Sequence, residues 1–237
     1  MSDNLARAAI WDMDGTLVDT AELHFVAWET VCRELGRAFS RADFAATFGR
    51  RNPEIIRWLF GEARFEERRI ANIGDHKEEI YRAAARRQGV VPLPGVTRLL
   101  QALGQVGFRQ AVGSSAPRAN LDLILEMTGL ARFFASVVAM EDTQRGKPDP
   151  QVFEVAAAKL GVAPAHALVL EDAVAGVHAA KAGHMKCIAV SFVGHHADAT
   201  LKAAGADRVV RSLEQVSVAQ VRRLLDAETP PSAKRTS

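Results

Sequence analysis

Ala8-Ala9-Ile10-Trp11, cut short by Asp12-Met13-Asp14-Gly15-Thr16, is the stretch on which the architecture turns. A short apolar run bounded by turn residues reads as a buried strand. Past it the period changes. Asp19 or Thr20 is placed to cap a helix, with Glu22 three residues after Asp19 in capping-box style. That helix runs to about Leu35, where Gly36 can close it. Asn52-Pro53 marks a second start, with Ile55/Leu59 and Ile56/Phe60 as i, i+4 apolar pairs. From about Glu66 to Arg87 the chain is charged and helix-prone, without a strand signal. Residues 19–92 therefore read as an all-helical block of about four helices.

Beyond Pro92-Leu93-Pro94-Gly95 strands and helices alternate. Val96, Leu99, Leu100 and Leu103 repeat as one helical face. Strands are expected at 110–113, 137–139, 167–170, 188–190 and 208–210, and helices at 117–127, from 149 to Gly161, at 174–182 and near 218–225. Such alternation specifies an α/β fold, a Rossmann-like parallel sheet flanked by helices. The helical block interrupts it straight after the first strand. The expected organisation is one α/β core, residues 1–18 and 93–228, with an all-α domain of about four helices inserted at 19–92. A disordered tail is expected at 229–237.

Bulk properties narrow the function. The 237 residues carry 30 Lys and Arg against 28 Asp and Glu, a formal charge of +2, which argues against a dedicated nucleic-acid or anionic-membrane binder. Cys32 and Cys187 match no metal or redox spacing and read as buried, inert thiols in a reducing compartment. No signal peptide or membrane-spanning run is evident. The expectation is a cytoplasmic monomer.

In an open parallel sheet, ligands bind beyond the carboxyl ends of the strands. The strand ends of this chain lead into Asp12 and Asp14, then Ser114 and Ser115, then Lys147 a little later, then Glu171 and Asp172. Carboxylates gathered at one point repel each other unless a cation sits among them. Oxygen ligands without histidine or cysteine favour Mg²⁺. A magnesium ion, a lysine and a serine hydroxyl suit a phosphoryl group. One carboxylate can then act as nucleophile and a second as acid and base.

These residues resemble the four motifs of the haloacid dehalogenase superfamily: Asp12-Met-Asp14-Gly15-Thr16-Leu-Val, Gly113-Ser114, Lys147-Pro148-Asp149-Pro150 and Glu171-Asp172-Ala-Val-Ala-Gly176. They occur in order across nearly the whole chain, and the inserted helices correspond to that family's cap. The resemblance implies Asp12 as nucleophile, Asp14 as general acid/base, Ser114 on the phosphoryl oxygens and Lys147 on both phosphate and nucleophile. It implies Mg²⁺ held by Asp12, the Asp14 backbone carbonyl and Asp172, with Glu171 beside them. Gly15 suits a sharp turn at the ligand, with Thr16 next to it. Dehalogenases of the superfamily lack the second aspartate, so Asp14 points to phosphoryl chemistry.

The run Asp19-Thr20-Ala21-Glu22-Leu23-His24-Phe25-Val26-Ala27-Trp28 is similar to the start of the cap in β-phosphoglucomutases. The likeness implies that His24 contacts Asp14 from the cap side, with Ala27 and Trp28 as cap core. Other positions depart from those mutases. They place an arginine three residues after the cap glycine, whereas Gly49 is followed here by Arg50, Arg51 and Asn52. Either arginine is a candidate for a substrate phosphate or carboxylate, as Ser115 is beside Ser114. The motif-two run Ser114-Ser115-Ala116-Pro117-Arg118 also differs, and Thr16 stands where those mutases often carry valine. The expected activity is hydrolysis of a small phosphorylated metabolite of the sugar phosphate or phosphoglycolate type. A β-phosphoglucomutase-like phosphotransferase is the alternative.

Overall fold

The computed structural model describes residues 6–227. The expected tail at 229–237 and most of the segment read for a signal peptide lie outside the described residues.

Strand β1 (Ala8–Trp11) is followed by four helices, α1 (Ala21–Glu34), α2 (Arg41–Thr47), α3 (Asn52–Phe60) and α4 (Glu67–Gln88). The remaining elements are α5 (Val96–Gln105), β2 (Arg109–Gly113), α6 (Arg118–Thr128), β3 (Ser136–Val138), α7 (Gln151–Lys159), β4 (Ala167–Glu171), α8 (Val174–Ala182), β5 (Lys186–Val190), α9 (Asp198–Ala203), β6 (Arg208–Val210) and α10 (Val218–Asp226). All pairings are parallel, in the order β3-β2-β1-β4-β5-β6. The strand order reverses direction between β1 and β4, which is where a doubly wound sheet opens a crevice.

Both sheet faces are covered, so β1 and β4 up to Leu170 are continuous apolar runs rather than alternating. Ala9, Trp11, Val112, Leu168 and Leu170 pack on one face with Leu99, Leu100 and Leu103 of α5. Ala8, Ile10, Ala111, Val169 and Cys187 pack on the other with Phe153 and Ala156 of α7. Fully burying each leucine stabilises the fold by about 1.5–3 kcal/mol. Cys187 and Cys32 are both free and buried, and burial pushes the Cys32 thiol up to about 11. No helix among the described residues is long and apolar enough to cross a membrane.

The helical block has its own core, in which Phe25, Trp28, Phe39, Phe44, Ile56 and Ile70 pack together. Its two connections to the sheet layer run side by side: Val18 bridges Pro92, and Leu93 N–H donates to Leu17 O at 2.9 Å. His195, in the loop after β5, packs its ring on Phe48 (centroids 4.5 Å apart) and on Phe44 of α2.

Three local expectations need correction. Thr20, not Asp19, is the N-cap of α1, and neither makes the anticipated capping box. Glu22 pairs instead with Arg41, and the Thr20 hydroxyl is drawn to Asp14. Helix α9 has no counterpart among the expected elements, because Asp198–Ala203 is too short to show a period. Trp28 belongs to the core of the helical block, as expected, but it also lines the cavity beneath.

Candidate active site

The carboxyl ends of β1, β2 and β4 meet under the helical block and enclose a cavity. Asp12, Asp14, His24, Arg50, Ser114, Ser115, Lys147, Glu171 and Asp172 all line it. The adjacency of β1 and β4 is what brings Asp12 within reach of Glu171 and Asp172, some 160 residues away in the chain.

Lys147 is the hub of the floor. Its Nζ, buried, donates to Asp12 Oδ1 at 2.6 Å and to Glu171 Oε1 at 2.7 Å, and the two carboxylates hold the ammonium firmly protonated against the cost of burial. The other Glu171 oxygen accepts from the backbone N–H of Asp172 (2.6 Å) and of Ala173 (2.5 Å). Glu171 is thereby fully engaged. Asp172 is not: both its carboxylate oxygens are buried without a hydrogen-bond partner among the described residues. An orphaned buried carboxylate is costly, and burial together with Glu171 and Asp12 pushes its carboxyl well above the usual range. Asp12 is pushed up to about 7 by burial, with Glu171 and Asp14 adding to the effect and Lys147 opposing it.

This floor fits a divalent cation. Oxygens of Asp12, Glu171 and Asp172 lie within 4.8 Å of one another. Three carboxylates face one ammonium, the donors are hard oxygens, and the two on Asp172 have nothing else to bind. Gly15 makes room for the arrangement: at φ +84° its Cα faces Asp172, and a Cβ there would lie 2.0 Å from Asp172 Oδ2.

The Asp14 side chain belongs to a different environment. It turns toward the helical block, where Thr20 Oγ1 donates to its Oδ1 at 2.5 Å and His24 Nε2 lies 3.3 Å away. Burial pushes the Asp14 carboxyl up, but His24, Thr20 and Lys77 outweigh it and hold it below the ordinary value. Two aspartates two residues apart thus sit in opposite electrostatic settings. Ser114, at the end of β2, is buried, and its Oγ accepts from the backbone N–H of Ala116 at 3.1 Å.

Not every candidate joins this group. Arg51 turns away from the cavity, donating to the carbonyl oxygens of Thr143 (3.1 Å) and Arg145 (2.9 Å) and to the Thr143 hydroxyl. It is a strut between α3 and the loop before α7. Arg50 does line the cavity. Thr16 is fully buried with its hydroxyl unpartnered and lies outside the cavity lining.

Polar residues of the cavity and its rim that the sequence does not mark as site residues include Thr20, Thr47, Lys77, Glu78 and Asn52. A signal for Lys77 exists. The buried stripe of α4 runs through Ile70, Ile73, Gly74, Lys77, Tyr81, Ala84 and Ala85, so a lysine stands where the helical period demands an apolar residue.

A family model for haloacid dehalogenase-like hydrolases matches residues 9–190. The chain belongs to this family. It is 31% identical over 240 residues to a β-phosphoglucomutase of Mycobacterium bovis, covering 89% of this chain and 91% of that one. It is 33% identical over 189 residues to hexitol phosphatase B of Escherichia coli, covering 77% and 82%. A match of 32% identity to the protein SUPPRESSOR OF QUENCHING 1 of Arabidopsis thaliana covers 89% of this chain, which spans only 20% of that relative's length. The crystal structure of a β-phosphoglucomutase from Clostridium difficile superposes with a TM-score of 0.83 over 93% of this chain and 97% of the other, at 22% identity, a likeness of fold. The resemblance in the four motifs therefore holds for the family, and the helices between β1 and α5 occupy the cap position within it.

Proposed function

We propose that this haloacid dehalogenase-like hydrolase is a Mg²⁺-dependent phosphatase of small phosphomonoesters, working through an aspartyl-phosphate on Asp12. The observation that carries the reading is the division between the two aspartates. Asp12 is held by Lys147 on the cation-binding floor, whereas Asp14 is held by Thr20 and His24 of the cap.

In the first step an Asp12 carboxylate oxygen attacks phosphorus, the ester P–O bond breaks, and Asp14 gives its proton to the departing alkoxide. Asp14 starts below the ordinary carboxyl range, and the arriving phosphate dianion raises its proton affinity. In the second step the Asp14 carboxylate takes a proton from water, the water oxygen attacks phosphorus, and the Asp12–phosphorus bond breaks. Ser114 and Lys147 hold the phosphoryl oxygens. Mg²⁺ bound by Asp12, Asp172 and the Asp14 carbonyl, with Lys147-anchored Glu171 beside them, would neutralise phosphoryl charge. The cap excludes bulk water and sets specificity.

Hydrolysis is favoured over transfer to a second hydroxyl because transfer needs a site for a distal phosphate. Arg51 is committed to Thr143 and Arg145, Arg118 to Val137 O and Asp142, and Lys77 to Glu78 and His24. Among the described residues, Arg50 alone is left on that wall.

The test is a panel of phosphate esters with Mg²⁺, followed by released phosphate, with β-glucose 1-phosphate isomerisation run alongside. Multiple turnovers of phosphate release, abolished by Asp12→Asn, are expected. Isomerisation to glucose 6-phosphate without comparable release would replace the phosphatase reading with the mutase one.

A further inference from the structure

Helix α4 carries a lysine and a glutamate side by side, and both are almost fully buried: Lys77 is 2% exposed and Glu78 4%. Buried charges are tolerated only when paired and hydrogen-bonded. Glu78 Oε1 accepts from Lys77 Nζ at 2.9 Å and from Asn52 Nδ2 at 2.8 Å, and its Oε2 accepts from Asn120 Nδ2 at 2.7 Å. Asn120 lies on α6, in the sheet layer, and its Oδ1 accepts from Arg82 of α4 at 2.9 Å. A charge-assisted bond therefore crosses from the cap to the core at Glu78.

The line continues inward. Lys77 Nζ lies 2.7 Å from His24 Nδ1. An ammonium has only protons to offer, so Nδ1 is the acceptor, and a neutral imidazole then carries its proton on Nε2. That is the nitrogen facing Asp14 Oδ1. The imidazole is fixed further by stacking on Tyr81, centroids 4.1 Å apart and planes 12° from parallel.

We propose that Glu78, anchored on Asn120, is a positioning residue for proton transfer at Asp14: it holds the Lys77 ammonium that sets the His24 tautomer and orientation. The series Asn120–Glu78–Lys77–His24–Asp14 is continuous only while the cap rests against α6. No proton leaves Glu78, Lys77 or His24; the transferred proton comes from Asp14. The proposal rests on the reading of Asp14 as acid/base.

The leaving group separates positioning from folding. p-Nitrophenolate departs without a proton, whereas an alkoxide needs one. With p-nitrophenyl phosphate and an alkyl phosphomonoester compared side by side through kcat/KM, which reports the leaving-group step and not the later attack of water, Glu78→Gln is expected to lower the value on the alkyl ester about 10²-fold. Its alkyl-to-aryl ratio of kcat/KM should fall by at least about tenfold, with Asp14→Asn showing the same selectivity more strongly. If Glu78→Gln does not fold, the pair Lys77→Met with Glu78→Gln leaves no lone buried ion and should show the same selective loss. Equal losses on both esters, or no loss, would overturn the assignment to Glu78 while leaving the phosphatase reading intact. Wild-type protein that releases phosphate from neither ester would overturn that reading and this one together.

Discussion

Gly176 and Glu171 share one space: a Cβ on Gly176 would lie 1.7 Å from Glu171 Oε1 and 2.0 Å from its Cδ. The glycine sits inside α8, where its backbone freedom is a liability rather than an asset, so the requirement is for room. Glu171 in turn holds Lys147 and the turn after β4. Gly176→Ala should therefore push the glutamate off the Lys147 ammonium. Displacement of such a group by about 1 Å costs on the order of 10²-fold in rate. Steady-state kinetics should show kcat falling by at least that much, while circular dichroism shows the helices retained.

Asp172 is the carboxylate with nothing to bind, so metal binding should be visible without catalysis. Thermal melts of the wild-type protein should rise on adding Mg²⁺ and return with a chelator. At 100 times Kd the stabilisation is about 2.7 kcal/mol. Asp172→Asn removes the orphaned charge and a ligand together, and its melting temperature should be insensitive to Mg²⁺. A variant that still responds like wild type would place the cation elsewhere.

The two neighbouring arginines should behave differently. Arg50 faces the cavity and Arg51 ties the cap to the 143–145 loop. Arg50→Ala is expected to raise KM for a substrate with a second polar group and leave the melting temperature within about 1–2 °C of wild type, as surface changes cost within about 0.5 kcal/mol. Arg51→Ala removes the bonds to the part-buried Thr143 carbonyl and the exposed Arg145 carbonyl, each worth about 0.5–1.5 kcal/mol, and should lower thermal stability. Melting curves and Michaelis–Menten kinetics of both variants check the assignment.

How much of the molecule is legible in its sequence depends on the range of each signal. β1 and the turn after it are legible because an all-apolar run ending in Asp12-Met13-Asp14-Gly15 is a local pattern. The floor is legible because its residues stand at or beyond the ends of strands, and parallel topology brings strand ends together. The walls are not. Lys77 meets His24 across 53 residues, and Glu78 meets Asn120 across 42, through the packing of α4 on α1 and α6. No spacing encodes such a contact. Thr20 misleads for the opposite reason: a threonine before a helix is usually a cap, but here its hydroxyl is spent on Asp14.

The buried Glu78 also predicts how stability depends on pH. Burial pushes its carboxyl up, but the Lys77 ammonium and the Asn120 amide overcome this and hold it at about 2, against an ordinary value of 4.5. A carboxyl whose folded pKa is depressed binds its proton more tightly in the unfolded chain, so stability falls as pH falls. Its contribution is complete above about pH 4.5 and is lost progressively between there and about pH 2. Other acidic groups titrate in the same range, so the informative quantity is the difference between wild type and Glu78→Gln. Urea unfolding at about pH 6 and about pH 3.5 should show wild type ahead at the higher pH and that lead shrinking at the lower. An unchanged lead would mean that Glu78 is not held as a carboxylate by Lys77 and Asn120.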